Sequence, residues 1–392
     1  MAIPRLKNYQ GPALLSYGYR PFFFLGSLYA AISILLWLPL FYGELSLASQ
    51  FTPVDWHIHE MFFGFLAAIV TGFLFTAIPN WTGRMPIQGI SLLFLVLLWA
   101  LGRVAVTTST YIGWFPAMIV DLLFLSTILA VLGKEIIAGK NWRNLKVLLP
   151  LGLLLAANAG FHLEAHFYGL SDISRRLAMA AAILFIMVIG GRIIPSFTRN
   201  WLVRNNPGQL PVPFNRFDVT AIIVAVIALG FWIAADLNIY SNALLLLAAA
   251  LQFARLSRWA GYRASKDPLV LVLHVSYIFI PIGFTLLGLA GFFPDFISPL
   301  AGIHALGAGA IGSMTLSVML RATLGHSGQP IKAGTGAIFI FIFIYLSALL
   351  RIFAEFDFDQ YTILLHLSAL TWFLAFAWFG VSFAPLFLKK RN

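Results

Sequence analysis

The feature that most constrains this chain is the recurrence of apolar stretches about twenty residues long, the length a helix needs to cross the hydrocarbon of a bilayer. Twelve can be read, at approximately 22–42, 57–78, 87–106, 112–132, 146–168, 175–195, 217–235, 239–258, 268–291, 298–321, 334–353 and 361–388. With 60% hydrophobic and only 10% charged residues, and a mean hydropathy of +0.90, little is left from which to build a soluble domain. A spanning segment must satisfy its own backbone, which apolar runs of this length do as helices. The expected fold is therefore all-α: a single polytopic membrane domain, 1–392, of about twelve transmembrane helices.

Charge orients these spans. Alternate connections are basic, holding Arg5, Lys7 and Arg20; Arg84; Lys134, Lys140, Arg143 and Lys146; Arg192, Arg199, Arg204 and Arg216; Arg255, Arg258, Arg263 and Lys266; Arg321 and Lys332; and Lys389, Lys390 and Arg391. The opposite connections carry Glu44, Asp55, Asp172, Asp236, Asp295, Glu355, Asp357 and Asp359, with Arg103, Arg175, Arg176 and Arg351 as the cations nearby. Positive loops stay in the cytoplasm, so both termini are expected there. The net charge of +11 is thus an orientation signal, with membrane lipid as its neighbour and no role for nucleic acid. The first apolar run, "FFFLGSLYAAISILLWLPL", follows a 21-residue lead and is long enough to span, so it reads as a transmembrane helix and not as a cleavable signal.

The longest irregular connection is "SFTRNWLVRNNPGQLPVPFNR", whose Asn, Pro and Gly content makes it the expected boundary between halves. A repeat is also visible. The second span ends "IPNWTGR", the sixth "IPSFTRN" and the tenth "MLRATLGHSG", where the proline is lost. This interval suggests three four-helix units at about 22–132, 146–258 and 268–388, although Pro and Thr also end spans for ordinary interfacial reasons.

The chain has no cysteine. Any metal must therefore rest on histidine, carboxylate, methionine or backbone oxygen. Six of the eight histidines fall in the outer half: His57 and His59 at the mouth of the second span, His162 and His166 near the end of the fifth, His304 in the tenth and His366 in the twelfth. His274, in the ninth span, and His326, in the loop expected after the tenth, lie towards the cytoplasm.

In "WHIHEM", two residues turn a helix by about 200°, so His57 and His59 point apart, while Glu60 lies about 60° from His57. The His57 and Glu60 side continues through small residues and suits an ion or a proton. The His59 side continues through Phe63, Leu66, Val70 and Phe73 and suits a bulky apolar cofactor. His57, beside Trp56, also reads as an interface anchor. His162 and His166 are one turn apart, a spacing that can place two imidazoles on one metal or simply two rings at the interface. His304 stands above Gly307, Ala308, Ile311 and Gly312, a smooth face for a flat macrocycle or for close helix contact. Asp121, deep in the fourth span, reads as a proton relay or as a buried partner of Arg or Ser. His274 reads as an axial ligand or as a satisfied core residue.

Several longer strings converge on one family. "WHIHEMFFGF", "GFLFTAIPNWTG", "GGRIIPSFTRNW" and "HALGAGAIGSMTLSVMLRATLGHSGQP" together resemble the NnrS family, over a stretch from about Ser16 to at least Lys332. The resemblance implies a multi-pass protein of the bacterial inner membrane that contains haem b and copper and is associated with nitric oxide and denitrification. It favours His57, His59, Glu60, Arg192, His274, His304 and His326 as functional residues, with His162 beside them.

A looser likeness is to the catalytic subunits of haem-copper oxidases and nitric oxide reductases. The adjacent histidine pair and the sixth-helix histidine of those proteins are missing here. The expected function is reduction of nitric oxide to nitrous oxide with electrons from a quinol or cytochrome. Glu60 and His57 are expected at the chemistry, His59 and His304 at haem, and His57, His166 or His366 at a second metal. A copper transporter or a non-catalytic haem-based nitric oxide sensor is the alternative.

Overall fold

The computed structural model describes residues 9–390, so Arg5, Lys7 and Arg391 lie outside the described residues. The described residues contain no strand. Twelve of their helices are long and apolar enough to cross a membrane: α1 Tyr19–Phe41, α2 Pro53–Thr82, α3 Ile90–Thr107, α4 Trp114–Ala138, α5 Trp142–Tyr168, α6 Asp172–Asn205, α7 Arg216–Ala235, α8 Ile239–Ser257, α9 Pro268–Phe292, α10 Pro299–Ser327, α11 Thr335–Phe353 and α12 Tyr361–Leu388. The protein is an all-α, multi-pass membrane protein. Leu, Ile and Val side chains such as Ile90, Leu97, Ile223 and Val381 form an exposed apolar exterior of the kind hydrocarbon accepts.

Several helices run further than the apolar pattern suggests, and in α6 and α10 this changes the expected linker and loop. The expected linker "SFTRNWLVRNNPGQLPVPFNR" is helical as far as Asn205, because Thr198 and Leu202 face inward while Arg199 and Asn200 face out. The chain leaves the helix only at Asn206, just before Pro207 and Gly208. Likewise α10 continues through Ser327, so His326 sits in its last turn and not in a loop.

Packing divides the chain into two units, and the divisions fall within α6, α10 and α12, not at the 206–215 connection. One unit holds residues up to Ala181, with Ala322–Gln329 and the chain from Phe376 on; the other holds Ala182–Arg321 and Pro330–Ala375. In the first, α2 packs on α1 and α4, α3 on α4, and α4 on α5. In the second, α8 packs on α7 and α9, and α10 packs on α9 and α11.

The three longest spans, α2, α6 and α10, each contain a π-helical segment, at Glu60–Leu66, Ile186–Gly190 and Ala305–Gly312. They recur at the four-helix interval of the sequence echo. The echo itself takes structural form: in "IPNWT" and "IPSFT" the threonine hydroxyl donates to the isoleucine carbonyl one turn back, Thr82 to Ile78 at 2.9 Å and Thr198 to Ile194 at 2.8 Å. In α10, where the proline is lost, the buried Thr323 hydroxyl makes no such bond.

Glycines in the π segment of α10 admit neighbouring rings. A Cβ on Gly309 would lie 2.6 Å from Phe279 Cγ, and Phe279 is itself stacked on Tyr345. Gly309→Ala is expected to destabilise the protein by about 1–3 kcal/mol through overpacking, read as a lower melting temperature in detergent. An unchanged melting temperature would show that Phe279 can yield.

Candidate functional site

Five helices of the first unit each send a polar side chain to one buried point. α2 begins at Pro53, with Thr52 as its N-cap accepting from the Asp55 amide at 3.2 Å; this sets the first turn that carries His57, His59 and Glu60. Glu60 opens the π segment, a local widening that frequently marks functional sites. Tyr29 comes from α1, Arg103 from α3, Asp121 from α4, and Asn158 and His162 from α5.

Arg103 ties the group together. Its Nη1 donates to both oxygens of Glu60 at 2.7 Å, and its Nη2 donates to Asp121 Oδ1. The Tyr29 hydroxyl donates to Glu60 Oε2. His59 Nδ1 lies 3.0 Å from Glu60 Oε1, while its Nε2 lies 3.0 Å from Asn158 Oδ1 and 3.1 Å from Asp121 Oδ2. His162 Nε2 approaches the same Asp121 oxygen at 3.3 Å. His59 and Glu60 are fully buried, and Asp121, His162 and Arg103 nearly so. Two glycines make the approach possible: a Cβ on Gly64 would lie 2.7 Å from Glu60 Oε2, and one on Gly102 would lie 2.7 Å from Asp121 Oδ1.

This geometry suits a cation. Donation of the His59 Nδ1 proton to Glu60 leaves the Nε2 lone pair facing Asp121 and Asn158, and the carboxylate that orients the imidazole is the usual outer partner of a metal-bound histidine. One ligand atom each from His59, Asp121 and His162 lies within 4.8 Å of the others, so the three can hold one metal ion. Glu60 and Asp121 oppose only Arg103 in formal charge, and one further positive charge, proton or metal, completes neutrality where an unpaired charge is costly.

The remaining expected residues are placed separately. The helical wheel set His57 with Glu60 and His59 apart, but the structure joins His59 to Glu60 and stacks His57 on Trp37, with ring centroids 4.3 Å apart. The wheel fails because Glu60 enters the wider π turn and two long neighbouring side chains can meet across the 100° between them. On the His59 face expected to carry a bulky cofactor, the imidazole packs against Phe51, Phe63 and Phe161.

His166 stacks on Trp114 at 4.2 Å and lines, with His162, a cleft of about 270 Å3. His326 lies against Tyr19. In the second unit, the Thr198 hydroxyl donates to Ile194, His274 Nε2 lies 2.8 Å from that hydroxyl, and Gly261 packs beside His274 Nδ1. Arg192 is half-buried on α6, two residues beyond the π segment.

His304 and His366 share a different arrangement. Each has Nδ1 at 2.7 Å from the carbonyl one turn back, of Leu300 and Thr362 respectively. Donation to that carbonyl makes Nε2 the basic nitrogen, the form in which histidine ligates a metal. Gly307 and Ala308, one turn below His304, are half-exposed as His304 is, so this face can accept a flat ligand, whereas the Gly309 and Gly312 face is taken by Phe279 and Trp372.

Arg103, Asn158 and Tyr29 were missed as site residues. The available signal was Arg103 itself, a cation about one turn from the end of an apolar span that holds no carboxylate to pair with it.

Fold and site together define a polytopic membrane protein with a metal-capable histidine and carboxylate centre buried among its helices. The chain belongs to the NnrS family: the model of that family, described as NnrS protein, matches residues 13–391. No curated protein matches the chain. Membership points to a nitric oxide-related membrane protein, in a family associated with metal cofactors.

Removing Arg103 leaves Glu60 and Asp121 buried without their cation. Arg103→Ala is expected to cost about 3–5 kcal/mol, seen as a large fall in thermal stability in detergent. Arg103→Lys keeps the charge but loses the fork that spans both carboxylates and is expected to fall between wild type and Arg103→Ala. Equal stability of all three proteins would refute the bridging role.

Proposed function

We propose that this is a membrane redox protein that detoxifies nitric oxide at histidine-bound metal centres, reducing it to nitrous oxide. The observation that carries the reading is the convergence of His59, Asp121 and His162 at one buried point with Glu60 behind the His59 ring. Two imidazoles and one carboxylate, without thiolate, suit an imidazole-preferring ion, and copper is the ion the family resemblance implies. When bound, copper supplies one-electron redox chemistry. Glu60 orients His59 through Nδ1 and holds a proton route on its other oxygen, where the Tyr29 hydroxyl donates. Arg103 keeps both carboxylates in place.

Haem b is assigned to the second unit, with His304 and His366 as the candidate axial ligands, because their Nδ1 bonds set Nε2 as the ligating nitrogen and Gly307 and Ala308 offer a smooth face. His59, the earlier candidate for haem, serves the buried triad instead. Nitric oxide is small and apolar and reaches either site through lipid, so no polar channel for it is required. Electrons come from a quinol or cytochrome in the bacterial inner membrane.

Metal analysis and an optical spectrum of the purified protein test the assignment. We expect about one copper per chain, lost in His59→Ala or Asp121→Asn and weakened about 10–100-fold in affinity by Glu60→Gln, which changes the carboxylate behind the His59 ring, and a Soret band altered by His304→Ala. A protein with neither iron nor copper would end the redox reading. With both metals present, anaerobic nitric oxide consumption with an electron donor should yield nitrous oxide. Binding without turnover would make the protein a sensor, and copper movement across vesicles without nitric oxide chemistry would make it a transporter.

A further inference from the structure

The buried triad has no exposure at His59, yet one of its members also borders open space. His162 lines the cleft formed by Gln50, Phe51, Ser109, Trp114, Ala165 and His166, at the end of the first unit opposite its basic loops. On its other side the same imidazole meets Asp121 at 3.3 Å. His166 follows one turn later on the same face of α5 and lines the same cleft, where its ring lies flat on Trp114 at an interplanar angle of 15°. The cleft, about 270 Å3, holds several waters at roughly 30 Å3 each.

Between cleft and triad stands Phe51. Its ring lines the cleft and packs on both histidines, 4.9 Å from the His59 ring and 5.0 Å from that of His162. Phe51 belongs to the connection between α1 and α2, and the neighbouring Gln50 fastens that connection to Ser109 by two bonds, amide to Oγ at 2.8 Å and Nε2 to carbonyl at 3.1 Å. The other neighbours of His59 are the Phe63 and Phe161 rings, the paired Glu60, Asn158, and the triad partners Asp121 and His162.

We propose that this cleft is the port through which an imidazole-seeking transition-metal ion reaches the triad. His166 makes the first contact, His162 accepts the ion from the cleft and passes it inward, and Phe51 is the gate that seals the triad afterwards. The inference rests on the metal reading of the triad and adds the route, its direction and the gating residue. Transfer between imidazoles one helical turn apart keeps a nitrogen ligand on the ion while it sheds water, which lowers the cost of bringing a cation into the bundle.

The absence of cysteine makes the test clean. In the full-length, metal-stripped protein in detergent, Gln50→Cys provides a single thiol in the cleft. We expect a bulky disulfide-forming reagent on that thiol to slow loading of Cu(I), or of Co(II) followed by its absorption, about tenfold, and a reductant to restore the rate. His166→Ala should slow loading to a similar degree while reaching the same final stoichiometry, and Phe51→Ala should speed both loading and release. If Phe51→Ala fails to fold, Phe51→Trp is expected to slow both. Wild-type protein that loads one ion while the blocked and His166→Ala proteins load equally fast would overturn the port and leave the triad standing. Wild-type protein that binds no ion would overturn the triad and the port together.

Discussion

The first unit depends on one guanidinium. Arg103 donates to Glu60 and Asp121 together, and those two carboxylates in turn position His59 and His162. In hydrocarbon neither carboxylate can be left without its cation, so helices α2, α3 and α4 are held in one mutual register by charge as well as by side-chain fit. The surrounding sequence follows from this demand. Gly64 and Gly102 stand where any Cβ would press on the carboxylates, and the Trp99 indole donates to the Gly64 carbonyl at 2.8 Å.

The π segment of α2 is the second element of the same design. Successive side chains on a regular α-helix stand about 100° apart, a gap that the His59 and Glu60 side chains bridge at the start of the π segment. Widening the helix at Glu60 lets both contribute to one centre while His57 turns away to stack on Trp37. The segments in α6 and α10 occupy the corresponding place in the four-helix interval but serve other chemistry. In α6 the Met187 carbonyl within the π turn accepts from Arg255, which also donates to Asp218 and Tyr277. That second buried arginine has a single carboxylate and no histidine partner among these bonds, so it braces helices without forming a metal centre.

Much of this architecture was legible in the chain. The twelve spans were readable because hydrocarbon imposes a length, and nine of their twelve C-terminal ends lie within four residues of those expected; α4 and α10 run on by six residues, and α6 by ten because "SFTRNWLVRN" is amphipathic and not apolar. The site was legible only in part. His59, Glu60, His162 and Asp121 stood out as ionisable groups in apolar surroundings, but their union did not, since it joins residues 43 and 99 positions apart in sequence through Arg103 and Asn158. Periodicity reports which face of one helix a residue occupies, not which neighbour meets it. A π turn, moreover, breaks the very periodicity on which that reading relies.

His274 and His304 show why residue type alone does not assign a ligand. Both are histidines in apolar spans, yet their hydrogen bonds commit opposite nitrogens. The Thr198 oxygen already gives its hydrogen to Ile194, so it can only accept, and His274 must carry its proton on Nε2. The Leu300 carbonyl can only accept too, but it meets Nδ1 of His304, which leaves Nε2 basic. A ring protonated on Nε2 keeps its lone pair on Nδ1, which in His274 is covered by Gly261, whereas a ring fixed through Nδ1 keeps its lone pair on Nε2. The two rings thus differ in which nitrogen meets an acceptor, a hydroxyl on another helix for His274 and a carbonyl one turn back for His304, whereas both nitrogens of His59 face acceptor oxygens, Glu60 on one side and Asn158 and Asp121 on the other, so that its Nε2 calls for a proton or a metal ion.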